Sequence, residues 1–379
     1  MKTVVPFYRY PTNVDIGSIL KEASGDVNGL ENVETLEEVF KKFIGCKYAV
    51  SASSGTNALH LAMCALDLKR GDKVICSINA FVNVPEVVRH FDAEPIFVDC
   101  NSDDYMINPA KLKEAIEKNK SKKLRAVIVN HMGGKVADME EIYAIAKEGN
   151  IKVIEDATDA MGSKYKDKMI GSTGADMTVF SFVPHLVRDV VSGGILVTES
   201  ESYATRARLY RNHGLIDGQD EGIYSVGYFY DMVDIGLSYK ISEIDAAICL
   251  RRLKDIDSAM ENRAQIASIY KKELEGVNHI TIKTSLDESN ITNFFIEIDK
   301  NRDHFARELK KEGVEIRLHY IPLNFMEYYK KKYELKVFDF LSSLEIYQKT
   351  ISLPIFDEMT QDEAHKVCEV VKKVANTYM

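Results

Sequence analysis

Between residues 48 and 198, short apolar runs alternate with longer stretches whose apolar residues recur at helical spacing. The runs are 48–53 (YAVSAS), 73–78 (KVICSI), 95–100 (PIFVDC), 125–131 (RAVIVNH), 152–157 (KVIEDA), 178–182 (TVFSF) and 194–198 (GILVT). Short, β-branched and bounded by turn residues, they predict strands. The stretches between several of them predict helices at 56–68, 85–91, 109–118 and 139–147. Such alternation implies an α/β fold whose sheet is mostly parallel and covered on both faces. Right-handed crossovers then bring the loops that follow the strands to one edge, where ligands bind.

A longer helical pattern follows at 242–274, with AAICLRRLKDIDSAMENRAQIASIYKKEL carrying apolar residues at helical spacing and charges between them. HITIKT and NFFIEI predict two more strands, and helices are expected near 305–312 and 361–374. The chain is therefore expected to divide inside the helical region. Residues 1–254 would form a large α/β domain and 255–379 a small C-terminal α/β domain. No internal repeat, low-complexity tract or Gly/Ser linker interrupts this layout.

Composition narrows the function. The chain has 379 residues, too many for one ordinary domain and enough for a large core. A net charge of −9 argues against a nucleic acid polymer or an anionic membrane as main partner. No run of about 18 uninterrupted apolar residues occurs, so no membrane span is expected. MKTVVPFYRYPTNVD has no basic stretch followed by an apolar core, so no signal peptide is expected either. Cys46, Cys64, Cys76, Cys100, Cys249 and Cys368 are scattered without metal-type pairs. They read as reduced, mostly buried thiols of a cytoplasmic protein without a metal site.

Candidate chemistry sits where strands end. Ser54-Gly55-Thr56-Asn57 joins a strand to a helix. Glycine lets backbone approach a ligand and a helix start offers unpaired N–H groups, so this is a phosphate seat or else an ordinary N-cap. Asp156 and Asp159 follow the 152–157 run. A carboxylate there holds a cationic ring nitrogen or is simply a solvated loop acid. Ser181 could add a phosphate contact. Phe81 either stacks on a flat cofactor or belongs to the core.

Together, in this order and spacing, these segments resemble the DegT/DnrJ/EryC1/StrS family of sugar aminotransferases, which are fold-type-I pyridoxal-phosphate enzymes. SSGTNALHLAM resembles the phosphate loop and its helix, AEPIFVDC the strand after the stacking aromatic, and HMGGKVADMEEI the segment that usually reads H-L-Y-G-x-x-ADM. VIEDATDAMGSKYKDKMIG resembles the ring-nitrogen motif and its hairpin; RLYRNHG, LSYKISEIDAAI, EIRLHYIPL and ISLPIF follow in family order. The resemblance implies a seven-stranded mixed sheet, a smaller C-terminal α/β domain and a homodimer with shared active sites. It implies that Asp156 pairs with the pyridine nitrogen and Phe81 covers one ring face. Gly55, Thr56 and Ser181 would hold the phosphate, and His319 and Tyr320 would border the sugar.

The family's lysine lies five residues after the serine of its S-F motif. Counted from Ser181 without a gap to Gly193-Gly194, that position is Leu186. The neighbours that usually read T-x-G-E are replaced as well, by Asp189, Val190, Val191 and Ser192, which indicates natural divergence. Asp159 stands where relatives carry Gln or His near the ring hydroxyl, Ser238 and Lys240 where they carry Asn and Arg, and Gly133 where they carry an aromatic. Leucine can neither form an imine nor move a proton. His185, one residue earlier, is the titratable neighbour, with a catalytic and a structural reading both open. The expectation is an enzyme acting on a nucleotide-linked keto-deoxysugar with pyridoxal or pyridoxamine phosphate held non-covalently, His185 and Asp159 being the candidate proton carriers. The alternatives are a cofactor-free sugar-nucleotide enzyme and an inactive subunit that supports a catalytic partner.

Overall fold

The computed structural model describes residues 4–10, 15, 17–18, 31–183, 191–217, 230–287 and 290–377. The expected strands form, with ends shifted by one or two residues. They are β1 (Tyr48–Ala52), β2 (Lys73–Ser77), β3 (Glu94–Val98), β4 (Leu124–Asn130), β5 (Lys152–Asp156), β8 (Met177–Ser181) and β9 (Gly194–Thr198). Between β5 and β8, β6 (Lys164–Tyr165) and β7 (Lys168–Met169) make a separate two-stranded ribbon. The seven-stranded sheet has the order β1-β9-β8-β5-β4-β2-β3. Only β9 runs antiparallel to its neighbours, so the other six strands point the same way.

Period-two alternation buries both faces of this sheet. On one face Val74, Cys76, Ile128, Ile154, Val179 and Leu196 pack under α2 (Gly55–Ala65), α3 (Asn83–Arg89) and α6 (Glu201–Arg211). On the other, Ile75, Val127, Val129 and Val153 meet α4 (Pro109–Lys118) and α5 (Met139–Gly149). Farther along that face, Phe180, Ile195 and Val197 meet α1 (Asn32–Ile44) and α7 (Glu243–Lys254). The helix expected at 56–68 starts at Gly55, capped by Ser54, and stops by Leu66, before Asp67 turns left-handed.

The helical pattern at 242–274 is two helices. α7 ends at Lys254, and α8 (Ile256–Leu274) starts after Asp255. α8 packs with α9 (Arg302–Lys311) and α12 (Gln361–Asn376) against an antiparallel sheet, β12 (Ile280–Ile282), β13 (Phe294–Ile298) and β14 (Thr350–Leu353), around a core of its own. Its third strand, in ISLPIF, was not among the expected strands. Residues near the N-terminus join this unit, as Val5 pairs with Val314. A further ribbon, β10 (Leu215–Asp217) with β11 (Tyr230–Met232), follows α6; α10 (Glu327–Lys332) and α11 (Leu341–Lys349) precede β14.

Candidate functional site

Because six strands are parallel, the turns after β1, β2, β4, β5 and β8 all emerge at one edge of the sheet, and the antiparallel β9 starts there. This edge gathers Gly55, Phe81, Asn130, Asp156 and Ser181 from positions spread over more than a hundred residues of chain.

The turn after β1 is held tightly. Ser54 Oγ accepts from Asn57 N–H at 3.1 Å, and Asn57 Nδ2 donates to Ser53 Oγ at 2.8 Å. Ser53 N–H donates to the Tyr239 carbonyl, and Ser192 Oγ donates to the Ser53 carbonyl at 2.5 Å. Behind it, Arg211 bridges Glu37 to the carbonyl and hydroxyl of Ser51. Gly55 and Thr56 thus open α2 with its N–H groups facing the edge. A Cβ on Gly55 would lie 2.7 Å from Ser181 Cβ, so glycine alone permits β8 and this turn to meet. The two segments expected to hold the phosphate, the Gly55-Thr56 turn and Ser181, are therefore neighbours. Ser181 Oγ itself donates to the Val183 carbonyl at 2.8 Å.

Asp156 ends β5 and is buried. Its Oδ1 accepts from the N–H and hydroxyl of Thr158, which leaves Oδ2 without a protein donor among the described residues. On the adjacent strand Asn130 lies in register with Asp156. Its Nδ2 donates to the Asn79 carbonyl at 3.3 Å, and its buried Oδ1 has no partner among the described residues. The neighbouring Glu155, on the opposite face, is fully buried. Burial pushes its ionisation up, but His131, Tyr143 and Thr178 outweigh that and hold the carboxyl below its ordinary range.

Asp159 and Tyr320 meet although 161 residues separate them: Tyr320 Oη donates to Asp159 Oδ2 at 3.2 Å. The Asp159 carbonyl is pinned by Thr292 Oγ1 at 2.8 Å. Tyr320 also packs against Phe81, with ring centroids 5.6 Å apart. Burial first, then the Asp159 and Asp156 carboxylates, push the Tyr320 hydroxyl well above its usual ionisation range. His319 turns the other way, its Nδ1 2.7 Å from Ser352 Oγ and its ring near Phe7. A cavity of about 130 Å³ between the two units is lined by Asp159, Ser181, His319, Thr292 and Arg252 among others. Asp156, Phe81 and Gly55 stand at the same sheet edge outside that lining.

His185 and Leu186 lie outside the described residues. Lys135 bridges to Met132 across a turn. In that turn Gly133 has φ +65°, and a Cβ on it would lie 2.6 Å from the Phe295 ring. Gly133 is thus packed directly against an aromatic ring from β13. Ser238 bridges to Asn212 in the same chain. Sequence reasoning missed Asn130, whose only signal is an amide at the end of an otherwise apolar strand. It named Ser192 only as a departure from the family run and did not foresee its bond to the Ser53 carbonyl.

The model of the DegT/DnrJ/EryC1/StrS aminotransferase family matches residues 19–372. An uncharacterized protein of Methanocaldococcus jannaschii is 35% identical over 348 residues, 90% of this chain and 89% of the relative. The spore coat polysaccharide biosynthesis protein SpsC of Bacillus subtilis is 30% identical over 360 residues, 93% of this chain and 91% of the relative. Among solved structures, the putative sugar aminotransferase Spr1654 of Streptococcus pneumoniae in its PMP form superposes with a TM-score of 0.89 at 20% identity, covering 99% of this chain and all of its own.

Proposed function

The chain belongs to the DegT/DnrJ/EryC1/StrS aminotransferase family, and from that premise we propose that it is an enzyme acting on a nucleotide-linked keto-deoxysugar with pyridoxal or pyridoxamine phosphate held non-covalently. The single observation that carries this reading is the joint placement of the Gly55–Ser181 contact and Asp156 at one sheet edge. The first seats a phosphate at a helix start, and the second offers a free carboxylate oxygen to a protonated ring nitrogen. The orphaned Oδ1 of Asn130 fits a polar ligand beside Asp156. When bound, the ring supplies an electron sink for charge developing on an attached amine.

The chain's own residues would do the rest. Asp156 keeps the nitrogen protonated, the start of α2 and Ser181 hold the phosphate, and Phe81 bounds a ring face. The cavity lined by Asp159 and His319 takes the sugar. Leu186 offers no imine, so the amine form is expected to bind better than the aldehyde. His185 and Asp159 are the side chains proposed to move protons.

The test is a titration of pyridoxamine phosphate followed by difference absorption. The unsubstituted protein should saturate below millimolar concentration, and Asp156→Ala should weaken binding about 10–100-fold, the worth of a charge-assisted bond. Equal affinity in both proteins would contradict the reading. No binding in either would favour the cofactor-free or inactive-subunit alternatives.

A further inference from the structure

Residues 290–293 lead into β13 and bring Asn290, Thr292 and Asn293 to the wall of the cavity that Thr158, Asp159 and Ser181 also line. Thr158 is bonded to Asp156, so this cavity adjoins the proposed cofactor site. The 290–293 segment is pinned to its surroundings. Asn290 Nδ2 donates to the Met161 carbonyl at 2.8 Å, and its Oδ1 accepts from Arg263 Nη2 at 2.8 Å. Arg263 Nε donates to the Ile291 carbonyl at 3.0 Å. Thr292 donates through its hydroxyl to the Asp159 carbonyl and through its N–H to the Gly133 carbonyl. Asn293 differs from these neighbours. It is only 6% exposed and lines the cavity, yet its side-chain amide has no hydrogen-bond partner among the described residues. A buried amide without a partner is costly, which marks Asn293 as a group held ready for a ligand.

We propose that Asn293 is a specificity-determining residue that reads a ring hydroxyl of the sugar. The proposal rests on the function proposed above. Whichever way the amide is turned, it sets an acceptor beside two N–H donors, and a hydroxyl both donates and accepts at one atom. Because the segment that carries Asn293 is fixed, the amide cannot turn away from a sugar that lacks the hydroxyl. It then stays buried and unpaired, and that penalty is the source of discrimination. On a 4-keto-6-deoxyhexose joined to a nucleotide through C1, free hydroxyls remain at C2 and C3, and Asn293 binds one of them. Asn293 makes and breaks no covalent bond, so its effect falls on sugar affinity and leaves cofactor binding alone.

The experiment is a calorimetric titration of protein loaded with pyridoxamine phosphate. The probes are 4-keto-6-deoxyglucose and its 2-deoxy and 3-deoxy counterparts, each linked to dTDP and to UDP, and the tighter-binding nucleotide is kept. Affinity for pyridoxamine phosphate is titrated in the same preparations. Asn293→Leu keeps the volume but removes the hydrogen bonds, and Asn293→Ala removes both. The unsubstituted protein should bind one of the two deoxy probes about 10-fold more weakly than the parent sugar. Each variant should bind the parent about 10-fold more weakly than the unsubstituted protein does and no longer distinguish that deoxy probe, with pyridoxamine phosphate affinity within about threefold. Equal binding of all three sugars by the unsubstituted protein overturns the assignment without any variant. So does an unchanged affinity for the parent sugar in Asn293→Leu, or a loss that is the same on all three sugars. Failure of the unsubstituted protein to bind pyridoxamine phosphate removes the underlying function and this proposal with it. Cofactor binding with no sugar bound removes the sugar reading of the cavity and the role of Asn293, whereas sugar binding without an Asn293 effect removes the role of Asn293 alone.

Discussion

A methyl group at Gly194 would sit 2.3 Å from the Ser54 carbonyl oxygen and 2.5 Å from the Gly55 nitrogen. All of these are backbone atoms, so neither β9 nor the proposed phosphate seat can yield by turning a side chain. Gly194→Ala should therefore lower stability by about 2 kcal/mol or more in urea unfolding and weaken pyridoxamine phosphate binding as well. His60, on α2, makes a pH-dependent contribution. Burial, followed by the charge of His90, lowers its ionisation to about 4, and its Nδ1 lies 3.0 Å from Tyr239 Oη. The unfolded chain binds the extra proton near pH 6.5. Stability should thus fall as pH drops from about 6.5 to 4, by on the order of 2–3 kcal/mol from this residue. Urea midpoints of the unsubstituted protein and His60→Gln between pH 7 and 4.5 check this: the variant should lose that part of the slope. At this scale the residues gathered at the candidate site were largely legible, since Gly55, Asp156 and Ser181 announce themselves by residue type at strand ends. The Tyr320–Asp159 bond and the collision course between Gly133 and Phe295 were not, because local sequence carries no record of contacts made across more than 150 residues.

Elements were readable where hydrophobic period and end signals agree. In the large sheet the strands inside β3 bury most of both faces, and turn residues mark their ends, so β1, β2, β4, β5 and β9 could be read from short apolar runs. The pattern at 242–274 has no glycine or proline to announce a break, and the stop between α7 and α8 at Asp255 comes from packing. β14 escaped notice because four residues followed by Pro354 read equally well as a loop. α12 has a start that sequence does reveal: Thr360 accepts from Glu363 N–H, and the Glu363 side chain accepts from Thr360 N–H. Thr360→Ala should cost about 1 kcal/mol of stability, read as a lower urea midpoint, with cofactor affinity unchanged. An equal midpoint would show that the packing of α12 against α8 and α9 holds the helix start without its cap.

The molecule as a whole collects its site from many strand ends and then closes it with the unit built on β12–β14. Among the described residues no helix is long and apolar enough to cross a membrane. Met232, Val233 and Ile235 are exposed at and just after the end of β11, and a homodimer is what the family resemblance leads us to propose. Sedimentation at micromolar concentration should give twice the mass of one chain, 42.8 kDa, and a stable monomer would contradict it. The central claim is that the cofactor is held by Asp156, the phosphate seat and ring contacts with no bond to the chain. Mass spectrometry of protein loaded with pyridoxal phosphate and treated with borohydride tests it most directly. Under native conditions the account predicts a chain that carries the cofactor, and under denaturing conditions a chain of unmodified mass. A reduced adduct that survives denaturation, on Lys135, Lys240 or any other residue of the site, would contradict it.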